Sequence, residues 1–135
     1  MPLATTSALE ILKAILQAED PGWRAGATRY LAAHTANPGV GGSQTTSECA
    51  YTGYLRVAIT AATAWTDTNP MLNNALIQFA KATAATGEQI THLSIGTATS
   101  GAGQILVIAE LVDPLQMAIN IQPQFSAGDL SVQAS

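Results

Sequence analysis

Charged side chains are scarce in this chain of 135 residues, where Asp, Glu, Lys and Arg together make up 10%, against the roughly 25% typical of soluble domains. Hydrophobic residues make up 47%. A free monomer normally keeps a charged surface for solubility, whereas a subunit that buries its flanks in an assembly needs fewer charges. The alternative is a soluble domain whose Ala, Thr, Ser and Gln cover the surface without charge. The composition favours an assembly subunit.

Basic residues are few and scattered. The formal net charge is −4 and the isoelectric point is about 4.8. A nucleic-acid-binding surface needs clustered Lys and Arg to neutralise phosphates. The five basic residues form no such cluster along the sequence: Lys13, Arg24, Arg29, Arg56 and Lys81. We therefore expect no nucleic-acid partner.

The chain has a single cysteine and no long hydrophobic run. Cys49 is the only cysteine, so the chain forms no internal disulfide and no cysteine-based metal site of its own. The longest strongly apolar run, 105–112, is interrupted by Glu110, and no segment approaches the roughly 20 apolar residues that span a membrane. The first residues lack the positive charge that begins a signal peptide. We expect a soluble protein made inside the cell, with no membrane partner.

Patterns that carry chemistry are equally scarce. His34 and His92 are the only histidines, and neither has the spacing to a second ligand that metal sites use. The Gly-rich run 100–103 lacks the Lys-Ser/Thr of a phosphate-binding loop and precedes a strand rather than a helix. The carboxylates beyond residue 20 are mostly isolated, so no catalytic pair is indicated. We predict no catalytic residue, no cofactor and no metal, and a protein that is not an enzyme.

One short amphipathic helix is predicted near the start. Ser7 and Glu10 have the S-x-x-E spacing of a capping box, and the Asp-Pro-Gly run 20–22 ends the segment because Pro disfavours helix in the residue before it. The apolar residues between them recur at helical spacing: Leu9, Ile11, Leu12, Ile15 and Leu16. We expect this Leu/Ile face to pack on an apolar surface.

After Gly26 the hydrophobic period changes from helical to strand-like. Short strands with turn signals every 8–12 residues are typical of an antiparallel sandwich or barrel. The predicted strands lie at 28–34, 54–59, 76–79, 90–95, 104–112, 117–121, 124–126 and 130–132. We predict a single mainly β domain, an antiparallel jelly-roll-type β-sandwich over residues 27–135 preceded by a helix and arm over residues 1–26. The run 82–86 is predicted to be a loop.

The helix and the segment after it supply the candidate interface. Trp and Arg are enriched among residues that dominate binding energy at interfaces, and Trp23 and Arg24 follow the helix directly. We predict an interface formed by these two residues with Leu9, Leu12 and Leu16. For Trp23, local packing under the helix is an equally good alternative.

Two runs in the first half resemble a family of tailed-bacteriophage virion proteins. The run YLAAHTANPG (30–39) is similar to the family's LHTADPG-like turn. Glu48 and the run YTGYLRVA (51–58) are similar to its EVSYTGYARV-like strand. Asn37 stands where the family usually has Asp, and Cys49 and Ala50 replace a small apolar pair.

The second half matches in the same order, so that the similarity spans residues 28 to 132. The run 90–96 is similar to the family's "thfgIg" strand, 97–103 to its Gly-rich turn, and 125–130 to its terminal F-x-A-G-x-L. Members are often labelled tail-fibre proteins, and related small jelly-roll proteins act as trimeric capsid cement, also called decoration proteins. The resemblance implies a structural role in the virion.

From these observations we predict a capsid cement protein. It would bind as a homotrimer to the major capsid protein on the outside of the assembled head, at the capsid surface of a virion assembled in the host cytoplasm. The alternative within the virion is a tail-fibre or tail-tip protein that contacts the host surface. An alternative of a different class is a jelly-roll carbohydrate-binding module.

Overall fold

The computed structural model describes residues 3–26, 28–60, 63–84 and 87–133. One helix, α1 (Thr5–Gln17), and a 3-10 turn, Gly22–Ala25, precede the strands. The strands in chain order are β1 (Thr28–His34), β2 (Val57–Thr60), β3 (Met71–Leu72), β4 (Ile77–Gln78), β5 (Gln89–Gly96), β6 (Ile105–Gln116), β7 (Gln124–Phe125) and β8 (Ser131–Val132). The predicted mainly β class with a short N-terminal helix is confirmed, and the jelly-roll arrangement stays a prediction.

A four-stranded antiparallel sheet forms the centre of the molecule, with strand order β2-β1-β5-β6. Leu31 of β1 lies opposite Ile95 of β5, and Ala33 lies opposite Leu93. Two further sheets have two strands each, β3 with β8 and β4 with β7. The inner strands β1 and β5 each end in four buried residues, and the edge strand β6 begins with four.

The main core lies on one face of the large sheet. Successive strand residues point to opposite faces, and Leu31, Ala33, Leu93 and Ile95 share one buried cluster. Both small sheets contribute to this same cluster: Ile77 of β4 is buried in it, and Phe125 of β7 and Val132 of β8 are partly buried against it. Aromatic rings run through it, with the Tyr51, Tyr54, Phe79 and Phe125 ring centroids 5.4, 6.2 and 6.5 Å apart in succession.

The opposite face of the sheet is covered by polar contacts and by the start of α1. His34 and Ser94 are buried there, and the Nδ1–H of His34 donates a hydrogen bond to the backbone oxygen of Thr46 in the long connection between β1 and β2. A second, small apolar cluster joins Ala4 to Ile105 and Ile108. The helix is therefore attached at the beginning of β6.

The predicted capping box is wrong. The helix begins at Thr5, its N-cap is Ala4, and the Ala4 side chain makes no capping hydrogen bond. Ser7 lies inside the helix and is buried, because its hydroxyl donates to the carbonyl of Ile105 on β6. A tertiary hydrogen bond has replaced the local one that the sequence pattern indicated. The helix ends at Gln17, before the predicted stop, with Ala18 left-handed at a φ of 53°.

Strand β6 is longer than predicted and runs through Asp113 and Pro114. Pro lacks the N–H that a central strand needs, but an edge strand or a bulge tolerates it. Strand β6 is at the sheet edge, and its register with β5 shifts between the Ile90 and His92 positions, opposite this Pro. The predicted strand at 117–121 is wrong, since these residues form a turn with Asn120 at a φ of 67°.

Two further strand predictions and one loop prediction can be compared with the structure. The strands expected at 28–34 and 90–95 are confirmed by β1 and β5. Of the loop predicted at 82–86, residues 82–84 contain no helix or strand, and residues 85 and 86 lie outside the described residues. Within the described ranges, no helix is long and apolar enough to cross a membrane.

Candidate assembly surface

The inner side of α1 is fastened to the body by hydrogen bonds. The Ser7 hydroxyl donates to the Ile105 carbonyl over 2.8 Å. The Gln104 side-chain amide donates to the Ser7 hydroxyl over 3.1 Å and to the Glu10 carboxylate over 2.7 Å. The backbone N–H of Ala4 donates to the Leu106 carbonyl over 3.1 Å. These bonds fix the rotation of the helix about its own axis.

The outer side of α1 is apolar and exposed. Leu9 is 54% exposed, Leu12 53%, Ile15 72% and Leu16 77%. The expectation that the Leu/Ile face packs on an apolar surface holds for Ile11, which faces apolar residues of the body. For these four residues it is wrong in the single chain, because the side with Ser7 and Glu10 is the side turned inward. Helices of globular proteins usually bury their apolar stripe, and contiguous exposed apolar groups typically mark interaction surfaces.

The predicted interface residues divide between two environments. Leu9, Leu12 and Leu16 share the outer face of α1, where Ile15, absent from the predicted set, joins them. The signal for Ile15 was its helical spacing, three residues after Leu12. Trp23 lies elsewhere, on the inner side of the helix.

Trp23 packs locally. Its indole N–H donates to the Glu10 carboxylate, and the Arg29 guanidinium lies 5.7 Å from the centroid of its ring, within cation–π range. Arg24 is exposed and pairs with Asp20. The contacts of Trp23 are those of the local-packing alternative, and its role at an interface, like that of Arg24, stays a prediction.

A cavity of about 230 Å³ separates α1 from the body. It is smaller than the roughly 300–1,000 Å³ of most small-molecule sites. Its walls are mainly apolar and include Ile11, Trp23, Trp65, Met71, Leu106 and Val132. The helix is therefore held by the contacts of Ala4 and by the polar bonds of Ser7 and Glu10, with a cavity beside them.

The sheet brings His34 and Ser94 together, but in a buried structural arrangement. The His34 Nε2 atom lies 2.7 Å from the Ser94 hydroxyl, and Nδ1 lies 2.9 Å from the Thr46 carbonyl. Burial lowers the pKa of His34, because the charged imidazolium loses its hydration. His34 is 0% exposed, so no substrate reaches it in this conformation. The neutral ring bridges the sheet to the connection above it.

An ion pair fastens the long connection to the Gly-rich turn. The Arg56 guanidinium makes two hydrogen bonds to the Glu48 carboxylate, over 2.6 and 2.8 Å. It also donates to the carbonyls of Ala98 and Gly101. The Tyr54 hydroxyl donates to Glu48 over 2.8 Å. The hydrogen bonds to Glu48 raise the pKa of Arg56, so the guanidinium stays charged.

Cys49 is buried beside this network, and burial raises the pKa of its thiol to about 12. A thiol becomes a nucleophile or metal ligand only as the thiolate, so this cysteine acts as a small apolar residue. Among the residues that the structure describes, no group of three His, Cys, Asp or Glu side chains is placed to hold a metal ion.

The comparisons with known proteins bear on the whole chain. No curated protein matches the sequence significantly. A family model described as "Podophage GP4 fiber I protein gp80" matches residues 2–133. That match covers both the helix with its exposed face and the β body that carries it. The chain therefore belongs to the podophage GP4 fiber I protein gp80 family and is a structural protein of a bacteriophage virion.

Proposed function

We propose that this chain is a structural subunit of the fibre apparatus of the virion. The observation that carries the proposal is the family match over residues 2–133, whose description names a fibre protein. The exposed apolar face of α1 supports it, because a virion subunit needs a surface that is free in the single chain and buried in the particle. The tail-fibre alternative of the sequence analysis thus becomes the favoured role.

The proposed partners are other copies of this chain and a neighbouring virion protein. A protein that binds only the assembled state stabilises that state by linkage. Several weak contacts arranged by symmetry give high combined affinity without any single strong site. Low charge and an apolar helix face, both present here, suit such contacts.

A second candidate is capsid cement, in which a homotrimer binds the major capsid protein on the outside of the head. The specific feature in its favour is a small β body with an apolar helix at one end. Such a body could bridge neighbouring shell subunits as well as join a fibre. The two roles predict different positions on the particle.

Gold-labelled antibodies against the folded chain, imaged on purified particles by electron microscopy, test both roles. Label on fibres or at their attachment points supports the fibre proposal. Label distributed over the head overturns it in favour of cement. Particles that carry no label, and in which mass spectrometry detects no peptide of this chain, overturn both roles. Particles from a phage that lacks the gene provide the control for nonspecific labelling.

A further inference from the structure

We propose that the cavity between α1 and the body is a binding site for a small molecule that joins one aromatic ring to a carboxylate. Both tryptophans of the chain, Trp23 and Trp65, line this space, and so does Arg29. The proposal goes beyond the structural role proposed above, and it does not depend on where the chain lies on the particle.

The cavity is large for a space between packed elements of one chain. Protein interiors have few voids larger than a water molecule, whereas this cavity has a volume of about 230 Å³. An engineered apolar cavity of about 150 Å³ binds benzene, so this one has room for a ring with a short substituent. Leu3 and Met71 in its wall are 39% and 42% exposed, so a ligand can enter from the surface beside them.

The walls favour an aromatic ring over water. An ordered water in a cavity needs several polar partners, and the Ser7 hydroxyl is already engaged, since it donates to the Ile105 carbonyl and accepts from the Gln104 amide. The indoles of Trp23 and Trp65 offer ring faces and edges that an aromatic ligand can contact. The other apolar wall residues include Ile11, Met71, Ile95, Leu106, Val107 and Val132.

Arg29 supplies a positive charge in this wall, and one edge of its guanidinium is free. Its Nη1 atom donates to the carbonyls of Gly26 and Thr28 over 2.8 and 3.2 Å. Within the described part of the chain, its Nε and Nη2 atoms donate to no protein group. These two atoms form an edge of the planar fork that binds a carboxylate through two parallel hydrogen bonds. The backbone contacts of Nη1 hold the guanidinium in place, which reduces the ordering that binding requires.

The charges of the wall favour an anion over a neutral or cationic ligand. Among the described residues that line the cavity, Arg29 is the only charged one. Glu10, whose carboxylate accepts hydrogen bonds from the Trp23 indole and the Gln104 amide, is not one of these wall residues. The carboxylate of a ligand can therefore pair with Arg29 without a competing acid in the wall.

Tryptophan fluorescence of the full chain tests the proposal, because both indoles line the cavity. Phenylacetate is the probe, phenylacetamide is its neutral counterpart, and acetate is the anion without a ring. Phenylacetate is expected to change the emission saturably and acetate is not. Phenylacetamide is expected to bind at least about tenfold more weakly, because it cannot form the charged pair with Arg29. No saturable change with millimolar phenylacetate, or equal affinity for phenylacetate and phenylacetamide, overturns the proposal.

Two variants locate the site. Arg29→Gln is expected to bind phenylacetate and phenylacetamide equally, whereas Lys81→Gln, which removes an exposed lysine outside the cavity wall, is expected to keep the wild-type preference. Val132→Phe narrows the cavity and is expected to weaken phenylacetate binding at least about tenfold. Near-ultraviolet circular dichroism checks that each variant is folded, and the comparison of Arg29→Gln with Lys81→Gln decides alone if Val132→Phe does not fold. Wild-type phenylacetate affinity in the folded Arg29→Gln variant overturns the proposal.

N-Acetylphenylalanine distinguishes a free small molecule from the end of a neighbouring protein chain, because it carries the ring and the carboxylate on a peptide unit. The cavity is below the roughly 300 Å³ at which most small-molecule sites begin, so this bulkier compound is expected to bind more weakly than phenylacetate. Tighter binding of N-acetylphenylalanine would assign the cavity to the carboxyl-terminal residue of another protein and overturn the small-molecule class.

Discussion

Gln44 is fully buried beneath the Gly-rich turn, where its side chain forms hydrogen bonds with backbone groups. Its amide oxygen accepts a bond from the Ala98 N–H over 2.9 Å, and its amide nitrogen donates to the Tyr30 carbonyl over 3.4 Å. Asn73 acts similarly in another loop, accepting from the N–H groups of Gly128 and Leu130. Buried polar groups stabilise a fold when they are satisfied in this way.

We predict that Gly96→Ala destabilises the protein by about 1–3 kcal/mol, the usual cost of overpacking. A Cβ atom at Gly96 would lie 2.2 Å from the Gln44 side chain and 2.7 Å from the Gln104 carbonyl. Gly41→Ala is the control, because nothing lies within 4 Å of the added carbon, and its unfolding free energy is expected to stay near the wild-type value. Urea denaturation of both variants measures the difference. Equal midpoints would contradict the close packing around Gln44.

Acid is predicted to destabilise the chain through His34. Burial lowers the pKa of His34 below the usual histidine value of 6.5, so as pH falls below 6.5 the unfolded chain takes up a proton that the folded chain does not. The stability contribution is therefore complete above pH 6.5 and declines below it. Urea midpoints at pH 7.5 and 5.5 measure this loss, which is expected to be smaller in His34→Gln. His92→Gln is the control, because it keeps the buried His34 ring, and its urea midpoint is expected to fall with pH as in the wild type. An equal fall in all three proteins would count against the role of His34.

Little of this residue-scale detail could be predicted from the sequence. Asn73 and Gln44 carry no pattern that marks them, because their partners lie far away along the chain. Ser7 did carry a pattern, the capping box, but its hydroxyl is within reach of the Ile105 carbonyl. A local motif states what a side chain can bond to, and the tertiary structure decides which partner it takes.

At the scale of elements, buried strands were the most predictable features. The runs that became β1 and β5 combine apolar residues with flanking turn signals, and as inner strands they keep those runs buried. The sequence of α1 predicted the helix but not its orientation. Periodicity reveals that an apolar face exists, whereas it says nothing about whether the same chain covers that face.

The Glu48–Arg56 pair is predicted to hold the Gly-rich turn against the long connection. Their side chains are only 16% and 3% exposed, and removing one partner of a buried pair typically costs about 3–5 kcal/mol. Glu48→Gln is therefore expected to lower the free energy of unfolding by about 3 kcal/mol and to speed amide hydrogen exchange in residues 97–103. The exposed pair of Lys13 and Glu19 supplies the control, and Glu19→Gln is expected to change stability by less than about 0.5 kcal/mol. Unchanged exchange in Glu48→Gln would contradict this role.

At the scale of the whole molecule, association and stability are predicted to be linked. If copies bind through folded helices and not through unfolded chains, raising the protein concentration stabilises the folded state by mass action. The thermal midpoint of the wild-type chain is expected to rise with protein concentration, and that of Leu12→Asp is not. Scanning calorimetry over a hundredfold concentration range measures both. A wild-type midpoint independent of concentration would indicate that the outer face of α1 does not join copies in solution.

The molecule joins a β body, few charged residues and an outward-facing helix in one structural subunit of a virion. Its family was recognisable from the order of the 30–39 and 51–58 runs, and its assembly surface only from the structure. The scarcity of charged residues predicts that part of the surface is covered in an assembly. The exposure of Leu9, Leu12, Ile15 and Leu16 indicates that this part is the outer face of α1.

The most direct test of this account is the number of copies of the chain in purified particles, measured by quantitative mass spectrometry. The phage carries the wild-type gene, Leu12→Asp or Val112→Asp. Val112 is the matched control because its side chain is 98% exposed but lies on β6, away from α1. We expect wild type and Val112→Asp to be incorporated equally, and Leu12→Asp to be strongly depleted. Full incorporation of Leu12→Asp, or absence of the wild-type chain from particles, would contradict the account.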